Sequence, residues 1–311
     1  MHASLANRRG ILLMIAGSSV FASNDAFSKL ALAHIPPSEI LAVRGAMAAL
    51  MLVAYLAWKG QFSALRYCAD KRVMLRASAE ACIAMLFITA IATMSIADAT
   101  AILQVVPLVT MAAAVMFFGA RIGRGMWVAV AAGFLGVTLI VKPGSSAFDA
   151  VALLPLGCAF LCSFRDFVTG RIGGHVPTLV VTIATAGIGM MLGFAGSTVE
   201  PWAALDLWTF GYLVGGSVTL IAGHMLTIAA FRGTDPSTIS PFRYAGVVCS
   251  VALSATLFHQ MPDLVSIGGI AVILAAALYT MHQHMSAPKV VVAPAKPIVA
   301  AVSAEEPHKA A

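Results

Sequence analysis

Charge is what this sequence has least of. Only 10% of its 311 residues are Asp, Glu, Lys or Arg, while 60% are hydrophobic, and the mean hydropathy is +0.93. A soluble domain carries roughly 25% charged residues. A chain so poor in charge cannot cover a water-facing surface, so most of it must face lipid or other helices. Cysteine is sparse as well. Cys68, Cys82, Cys158, Cys162 and Cys249 are scattered, and Cys158 and Cys162 lie one helical turn apart without a CxxC or a His pair. They read as small packing residues rather than metal or redox groups. Clustered histidines, HExxH, a Ser–His pair and a P-loop are all missing, which speaks against a membrane enzyme and against ATP-driven pumping by this chain alone. A channel would need a filter loop of repeated carbonyls or acidic rings, and none is visible.

What the chain does have is long apolar runs. A hydrocarbon core about 30 Å thick needs roughly 20 apolar residues per helix. Stretches of that kind lie near 11–33, 39–58, 73–92, 97–118, 125–141, 150–169, 177–197, 207–231, 236–258 and 263–283. Pro, Gly or charge clusters separate them, among them His34-Ile35-Pro36-Pro37, Lys71-Arg72, Pro143-Gly144, Gly173-Gly174 and Glu200-Pro201. The connections are too short to hold a soluble domain. The sequence therefore predicts an all-α integral membrane protein of ten transmembrane helices.

Basic residues set the expected orientation. With the N-terminus cytoplasmic, one set of loops holds Arg8, Arg9, Lys59, Arg66, Lys71, Arg72, Arg76, Arg121, Arg124, Arg171 and Arg232, plus lysines of the tail. The opposite set holds Lys142 with the acids Asp98, Asp149, Glu200, Asp206 and Asp263. The positive-inside rule then places both termini in the cytoplasm of a bacterial-type inner membrane. The net charge of +6 reflects this asymmetry rather than a nucleic-acid surface. Arg8-Arg9, the run from Ile11 and Val20-Phe21-Ala22 resemble a cleavable signal. Cleavage would leave nine spans, and the charge pattern needs an even number from an inside start.

Five spans per half is an odd number, so a duplicated unit must insert its second copy upside down. A faint trace of duplication is present: Asp25 precedes Pro36 by the same spacing as Asp166 precedes Pro177. The expected organisation is a cytoplasmic N-terminus over 1–10, a first repeat over 11–143, a second over 149–285, and a disordered tail over 286–311.

Several strings carry a family resemblance. They are Ser23-Asn24-Asp25-Ala26-Phe27-Ser28-Lys29 with Pro36-Pro37 and Arg44, then Ala97-Asp98-Ala99-Thr100-Ala101-Ile102 with Pro107, and Gly133-Phe134-Leu135-Gly136-Val137. The second half adds Ser240-Pro241-Phe242-Arg243-Tyr244, Phe258 and Pro262-Asp263. Over about residues 8–285 the chain resembles the EamA family of the drug/metabolite transporter superfamily. Arg165-Asp166 and the Pro-Phe-Arg-Tyr string are similar to the branch with riboflavin and S-adenosylmethionine carriers. The resemblance implies two inverted five-helix EamA-type repeats and transport of a small organic metabolite, with a riboflavin-like or nucleoside-like solute as the first expectation. Export of amino acids or related zwitterions is the runner-up. Members often carry Gly-Glu at the inner end of span 4 and near the outer end of span 9; here those places read Gly119-Ala120 and His259-Gln260.

An ionisable group at a helix centre costs at least about 2.5–3.5 kcal/mol on insertion scales, so it should face a partner or a wet cavity. Asp25 and Lys29 are one turn apart in span 1 and can pair, and Arg44 enters from the same hairpin. Either they recognise an anion or zwitterion, or they form an internal ion pair that fixes the hairpin. On the inner side Glu80, Arg165, Asp166 and Arg243 lie at comparable depth and can neutralise one another in a closed gate. His224 is a proton-sensitive group or a packed, hydrogen-bonded one. Pro107 frees a carbonyl in span 4. That makes span 4, with Thr100, Gln104 and Thr110, an expected cavity wall; Tyr244 of span 9 offers a ring for stacking. Gly189…Gly193 and Gly211…Gly215 are small-xxx-small pairs that let helices approach. No metal or cofactor is expected. The expected partners are a small-molecule solute and the lipid bilayer, with protons as candidate coupling ion, a homodimer as candidate assembly, and no nucleic acid.

Overall fold

The computed structural model describes residues 2–118, 123–142, 150–169, 171–173, 175–231 and 240–286. Eleven α-helices lie within them: α1 His2–Ala31, α2 Pro37–Trp58, α3 Lys71–Thr93, α4 Ile96–Leu103, α5 Val106–Phe118, α6 Arg124–Val141, α7 Leu153–Thr169, α8 Thr178–Gly196, α9 Leu207–Phe231, α10 Ala245–Leu257 and α11 Leu264–Ser286. No strand occurs among the described residues. Six of these stretches are long and apolar enough to cross a membrane: 8–31, 37–58, 71–93, 150–169, 178–196 and 207–227. Four shorter apolar helical stretches follow the remaining expected spans, at 96–110, 127–141, 242–257 and 264–280. The chain is a multi-pass membrane protein.

Helix ends are fixed by local chemistry. Asp70 caps α3 by accepting from Arg72 N and Val73 N, and Ser95 caps α4 through Asp98 N. Asp206 caps α9 through Thr209 N, and Asp263 caps α11 through Ser266 N. Pro37 opens α2, where its missing N–H leaves nothing unsatisfied. The expected fourth span is not one helix. It breaks at Gln104–Val105 into α4 and α5, because a proline at 107 has no N–H to donate to the Leu103 carbonyl. The expected ninth span enters as a 3-10 turn, Ser240–Tyr244, ahead of α10. Another 3-10 segment, Phe62–Ala69, lies in the connection between α2 and α3.

The connections gather at two opposite ends of the bundle. At the Pro36 end, Ser38 N donates to Glu200 Oε2 (3.0 Å), Trp202 Nε1 to Ser38 Oγ (3.1 Å) and Ala203 N to Glu39 Oε2 (3.0 Å). At the Asp70 end, Arg72 Nη1 donates to Arg171 O (2.5 Å), and the Tyr67 and His175 rings meet edge to face. Between the ends, α1 packs on α9, α3 on α7, α2 on α8 and α6 on α11; α3 also meets α8, α2 meets α9, α1 meets α10, and α7 meets α4 and α5. Small residues set the closest crossings. A Cβ on Gly45 would lie 2.8 Å from Ala186 O, and Gly193 abuts Ala42, so α2 and α8 nearly touch backbone to backbone. Gly136 and Gly269 do the same for α6 and α11, each blocking a Cβ on the other at 2.7 and 2.6 Å. Of the two small-xxx-small pairs, Gly189…Gly193 lies at the α2–α8 crossing, while Gly215 alone of the second pair is in close contact, with Phe27. The tail beyond residue 286, Gly119-Ala120 and the loop around Arg232 lie outside the described residues.

Candidate functional site

Two polar clusters sit inside the apolar bundle. The first is built on α1 and α2. Arg44, only 6% exposed, donates through Nη1 to Ser28 Oγ (2.6 Å) and to Asn24 Oδ1 (3.2 Å). Asn24 Nδ2 in turn donates to Asp25 Oδ1 (3.1 Å), and Ser217 Oγ of α9 reaches Arg44 O at 3.4 Å. Arg44 thus joins Asp25 through a neutral amide rather than by direct contact. The expected Asp25–Lys29 pair is not made. Lys29 Nζ turns away to Met94 O (2.6 Å) and Gln260 Oε1 (2.7 Å), with the Phe258 ring 5.3 Å away. Helical spacing allowed the pair, but oxygens offered by two other segments lay in better reach of the long lysine stem.

The second cluster is ionic. Arg165 Nη1 of α7 donates to both oxygens of Glu80 of α3 (2.9 and 3.2 Å), and its Nε and Nη2 both reach Asp166 Oδ1 (3.0 and 2.8 Å). Arg76 Nη2 pairs with Glu80 Oε2 at 3.2 Å, and its Nη1 donates to Thr185 Oγ1 of α8 at 2.7 Å. Glu80 therefore sits between two guanidiniums, 19% exposed, where charge-assisted hydrogen bonds are strong. Glu80, Arg165 and Asp166 come together as expected. Arg243 does not join them: it is exposed on the 3-10 turn and makes no hydrogen bond or ion pair among the described residues. Arg76, expected in a loop, takes its place because α3 begins at Lys71 and carries Arg76 into the bundle. The Arg76/Glu80 spacing, i to i+4, was the signal for it.

A cavity of about 80 Å³ lies between α2, α3, α8 and α9 and links the two clusters. Arg44 lines it from one side and Glu80, Thr185 and His224 from the other; Leu41, Leu220 and Ile221 supply apolar walls. His224 packs edge-on against Phe21, with ring centroids 5.0 Å apart. Metabolite pockets are typically about 300–1,000 Å³, so this one is closed down. The expected α4 wall does not face it. Gln104 Nε2 folds back to Thr100 O (3.4 Å) and Thr110 Oγ1 to Val106 O (2.9 Å), each within its own helix. Tyr244, half-buried at the start of α10, has no ring partner among the described residues.

A separate depression of about 290 Å³ opens at the Pro36 end, lined by Asp98, Lys142, Asp263 and Met261 among others. There Lys142 Nζ pairs with Asp263, in the connection just before α11. The Lys142 ammonium and then the Ser266 N–H hold the Asp263 carboxyl down to about 2. No group of three or more His, Cys, Asp or Glu is arranged to hold a metal among the described residues.

A small, largely apolar cavity with ionisable groups at its ends, among apolar helices, is the kind of place where a membrane protein handles a solute, and comparison with known proteins agrees. Residues 8–142 match the EamA-like transporter family. This region is an EamA-like transporter domain. Proteins similar to this chain include one named riboflavin transporter from Rhizobium johnstonii, 28% identical over 64% of this chain and 66% of that protein, so just under two thirds of its length is spanned. A pseudopaline exporter from Pseudomonas aeruginosa is 23% identical over 87% of this chain and 95% of its own. An S-adenosylmethionine uptake transporter from Rickettsia bellii is 23% identical over 62% and 66%. A solved crystal structure, 19% identical, superposes on 92% of this chain and 99% of its own at a TM-score of 0.60, and so shares the fold.

Proposed function

We propose that this chain is a secondary active transporter of a small organic metabolite, working by alternating access between two inverted five-span repeats. The single observation that carries the reading is the closed cavity with a guanidinium at one side and a carboxylate and imidazole at the other, between helices of both halves. Support for the repeats comes from the packing itself. Exchanging each span with the one five places on turns α1–α9 into α7–α3, α3–α8 into α9–α2, and α1–α10 into α7 with α4 and α5. The same exchange leaves α2–α8, α6–α11 and α4–α10 paired with each other. Spans four and nine are the interrupted ones in their respective halves. The family match, ending at residue 142, covers one such half.

In this reading the Pro36 end faces outside and both termini are cytoplasmic in a bacterial inner membrane, as the basic loops at the Asp70 end favour. Rocking of the halves opens the cavity to one side at a time. Asp25 and Asp166 are the groups we assign to proton coupling, since each is an acid within an apolar helix beside cationic company. For the solute, relatives named for riboflavin and S-adenosylmethionine favour a flat, ring-bearing metabolite. The cavity favours the runner-up, a zwitterion, because Arg44 and Glu80 present opposite charges and no Phe, Tyr or Trp lines it.

The test is flux into sealed vesicles of a labelled panel (riboflavin, S-adenosylmethionine, nucleosides and amino acids), each with and without a pH gradient. Saturable flux of one member supports transport and names the solute class. No flux of any member in folded protein overturns both solute readings. Flux and gradient response that survive in both Asp25→Asn and Asp166→Asn overturn the coupling assignment.

A further inference from the structure

The face that α1 turns toward α10 carries polar groups that neither cluster uses. Toward the Asp70 end, a Cβ on Gly246 would lie 3.3 Å from Ser18 O, and the Cys249 thiol lies 3.7 Å from Ser19 O. Toward the Pro36 end, Lys29 Nζ sits over the Phe258 ring. The stretches from Ser18 to Lys29 and from Gly246 to Phe258 are nearly equal lengths of helix, so α1 and α10 run side by side in the same direction. Helical spacing then puts Ala22 level with Ser250 and Asp25 level with Ser254 on the facing stripes.

Ser250 and Ser254 are both 0% exposed, and neither hydroxyl has a hydrogen-bond partner among the described residues. In the same two helices Ser23, Ser28 and Thr256 return the hydroxyl to the carbonyl four residues back, whereas Ser250 and Ser254, like Thr100, Ser163 and Thr209 in other helices, do not. Buried polar groups are seldom left unpaired, because the lost hydration is not replaced. Beside them, Asp25 accepts one hydrogen bond, from Asn24, and makes no ion pair among the described residues. One seam therefore holds two unpartnered donors and an under-paired carboxylate.

We propose that the α1–α10 seam is a solute-binding route, closed in this structure, in which Asp25 takes the ammonium group of an amine-bearing solute while Ser250 and Ser254 take its hydrogen-bonding groups. The proposal deepens the transporter reading above and rests on it for the opening motion. Lys29 closes the mouth of the route. Its ammonium ties α1 to Met94, ahead of α4, and to Gln260, after α10. Both acceptors are neutral, so the strap is weaker than a lysine–carboxylate contact would be and is suited to opening. While it holds, Lys29 is the cation on the same stripe as Asp25, one turn away. An amine-bearing solute reaches the carboxylate when that strap lets go.

The test uses full-length protein in vesicles carrying Ser254→Cys or, as a second variant, Ser250→Cys. Each is labelled with a charged, water-soluble methanethiosulfonate, with and without Lys29→Ala. Rates are read against the wild-type background of five native cysteines and against Ala159→Cys, at a fully buried α7 position. The expected result is labelling of both serine positions above the control, at least tenfold faster in Lys29→Ala, and slowed by ethanolamine but not by glycolate. Labelling equal to the Ala159→Cys control in every background overturns the route. Labelling that neither probe slows, or that glycolate slows equally, overturns the assignment of Asp25 to an ammonium group. Wild-type flux measured in parallel separates the failures: flux without seam labelling sinks the seam alone, and seam labelling without flux of any solute sinks the transporter reading alone.

Discussion

The two polar clusters solve the same problem differently. Around Glu80 every charge meets an opposite one directly, with Arg165 and Arg76 on one carboxylate and Asp166 on the outer face of Arg165. Around Arg44 no carboxylate is in contact. The guanidinium rests on a hydroxyl and an amide, the acid it would neutralise is one residue further along, and the lysine has gone to another part of the molecule. The first arrangement is a closed ionic lock between α3 and α7. The second keeps its charges apart, bridged by neutral groups. Direct pairing holds helices together, whereas indirect pairing leaves charges free to exchange partners.

If that contrast is right, removing the central acid of the lock is the most damaging change. Glu80→Ala leaves Arg76 with only the Thr185 hydroxyl and Arg165 with only the half-exposed Asp166, and removing one partner of a buried ion pair costs about 3–5 kcal/mol. Thermal unfolding in detergent should show a larger loss than any other single substitution in either cluster; a loss no greater than that of Arg44→Met would erase the distinction. Arg44→Met comes next. It removes two hydrogen bonds from a charged donor but leaves behind only neutral acceptors, so a loss of about 1.5–3 kcal/mol is expected from the same measurement.

Packing supplies a reference of similar size that involves no charge. Gly45→Val would push a branched side chain into the α8 backbone at Ala186, and overpacking of this kind costs about 1–3 kcal/mol. Loss of monodisperse protein on size exclusion should accompany it, with no change in the pH dependence of flux. Asp25→Asn should be the opposite. The amide keeps its neighbour Asn24 and breaks no ion pair, so the unfolding midpoint should shift little while the response of flux to a pH gradient is lost.

The smallest effect belongs to the exposed pair at the Pro36 end. Asp263→Asn should leave the unfolding midpoint unchanged and insensitive to salt, because solvated ion pairs contribute little. The sign of its titration is also fixed. With the carboxyl held down to about 2, its contribution is present above the ordinary carboxylate range and is lost only as pH falls through about 2. Any pH dependence of flux near neutrality must therefore arise elsewhere, and flux against pH in Asp263→Asn should overlay the wild type.

Composition and spacing determined a good deal. Scarcity of charge made the chain a membrane protein, since lipid is the one solvent such a surface tolerates. The apolar runs located most of the helices to within a few residues, because bilayer thickness sets helix length, but they missed the start of α1, which begins at His2 rather than near residue 11. Pro107 marked the break in the fourth span, and the Asn24–Lys29 and Arg165-Asp166 strings marked polar positions that the fold buries. Sequence could not choose partners for long side chains. Lys29 was one turn from Asp25 by spacing, but Met94 and Gln260 reach it only after three distant segments converge. Arg243 was expected beside Glu80 and Arg76 in a loop, until the start of α3 at Lys71 carried Arg76 into that place. The cavity between α2, α3, α8 and α9, and the unpartnered hydroxyls of Ser250 and Ser254, exist only once helices from opposite ends of the chain are packed together. Burial and hydrogen-bond reach are properties of that packing, which no one-dimensional spacing encodes.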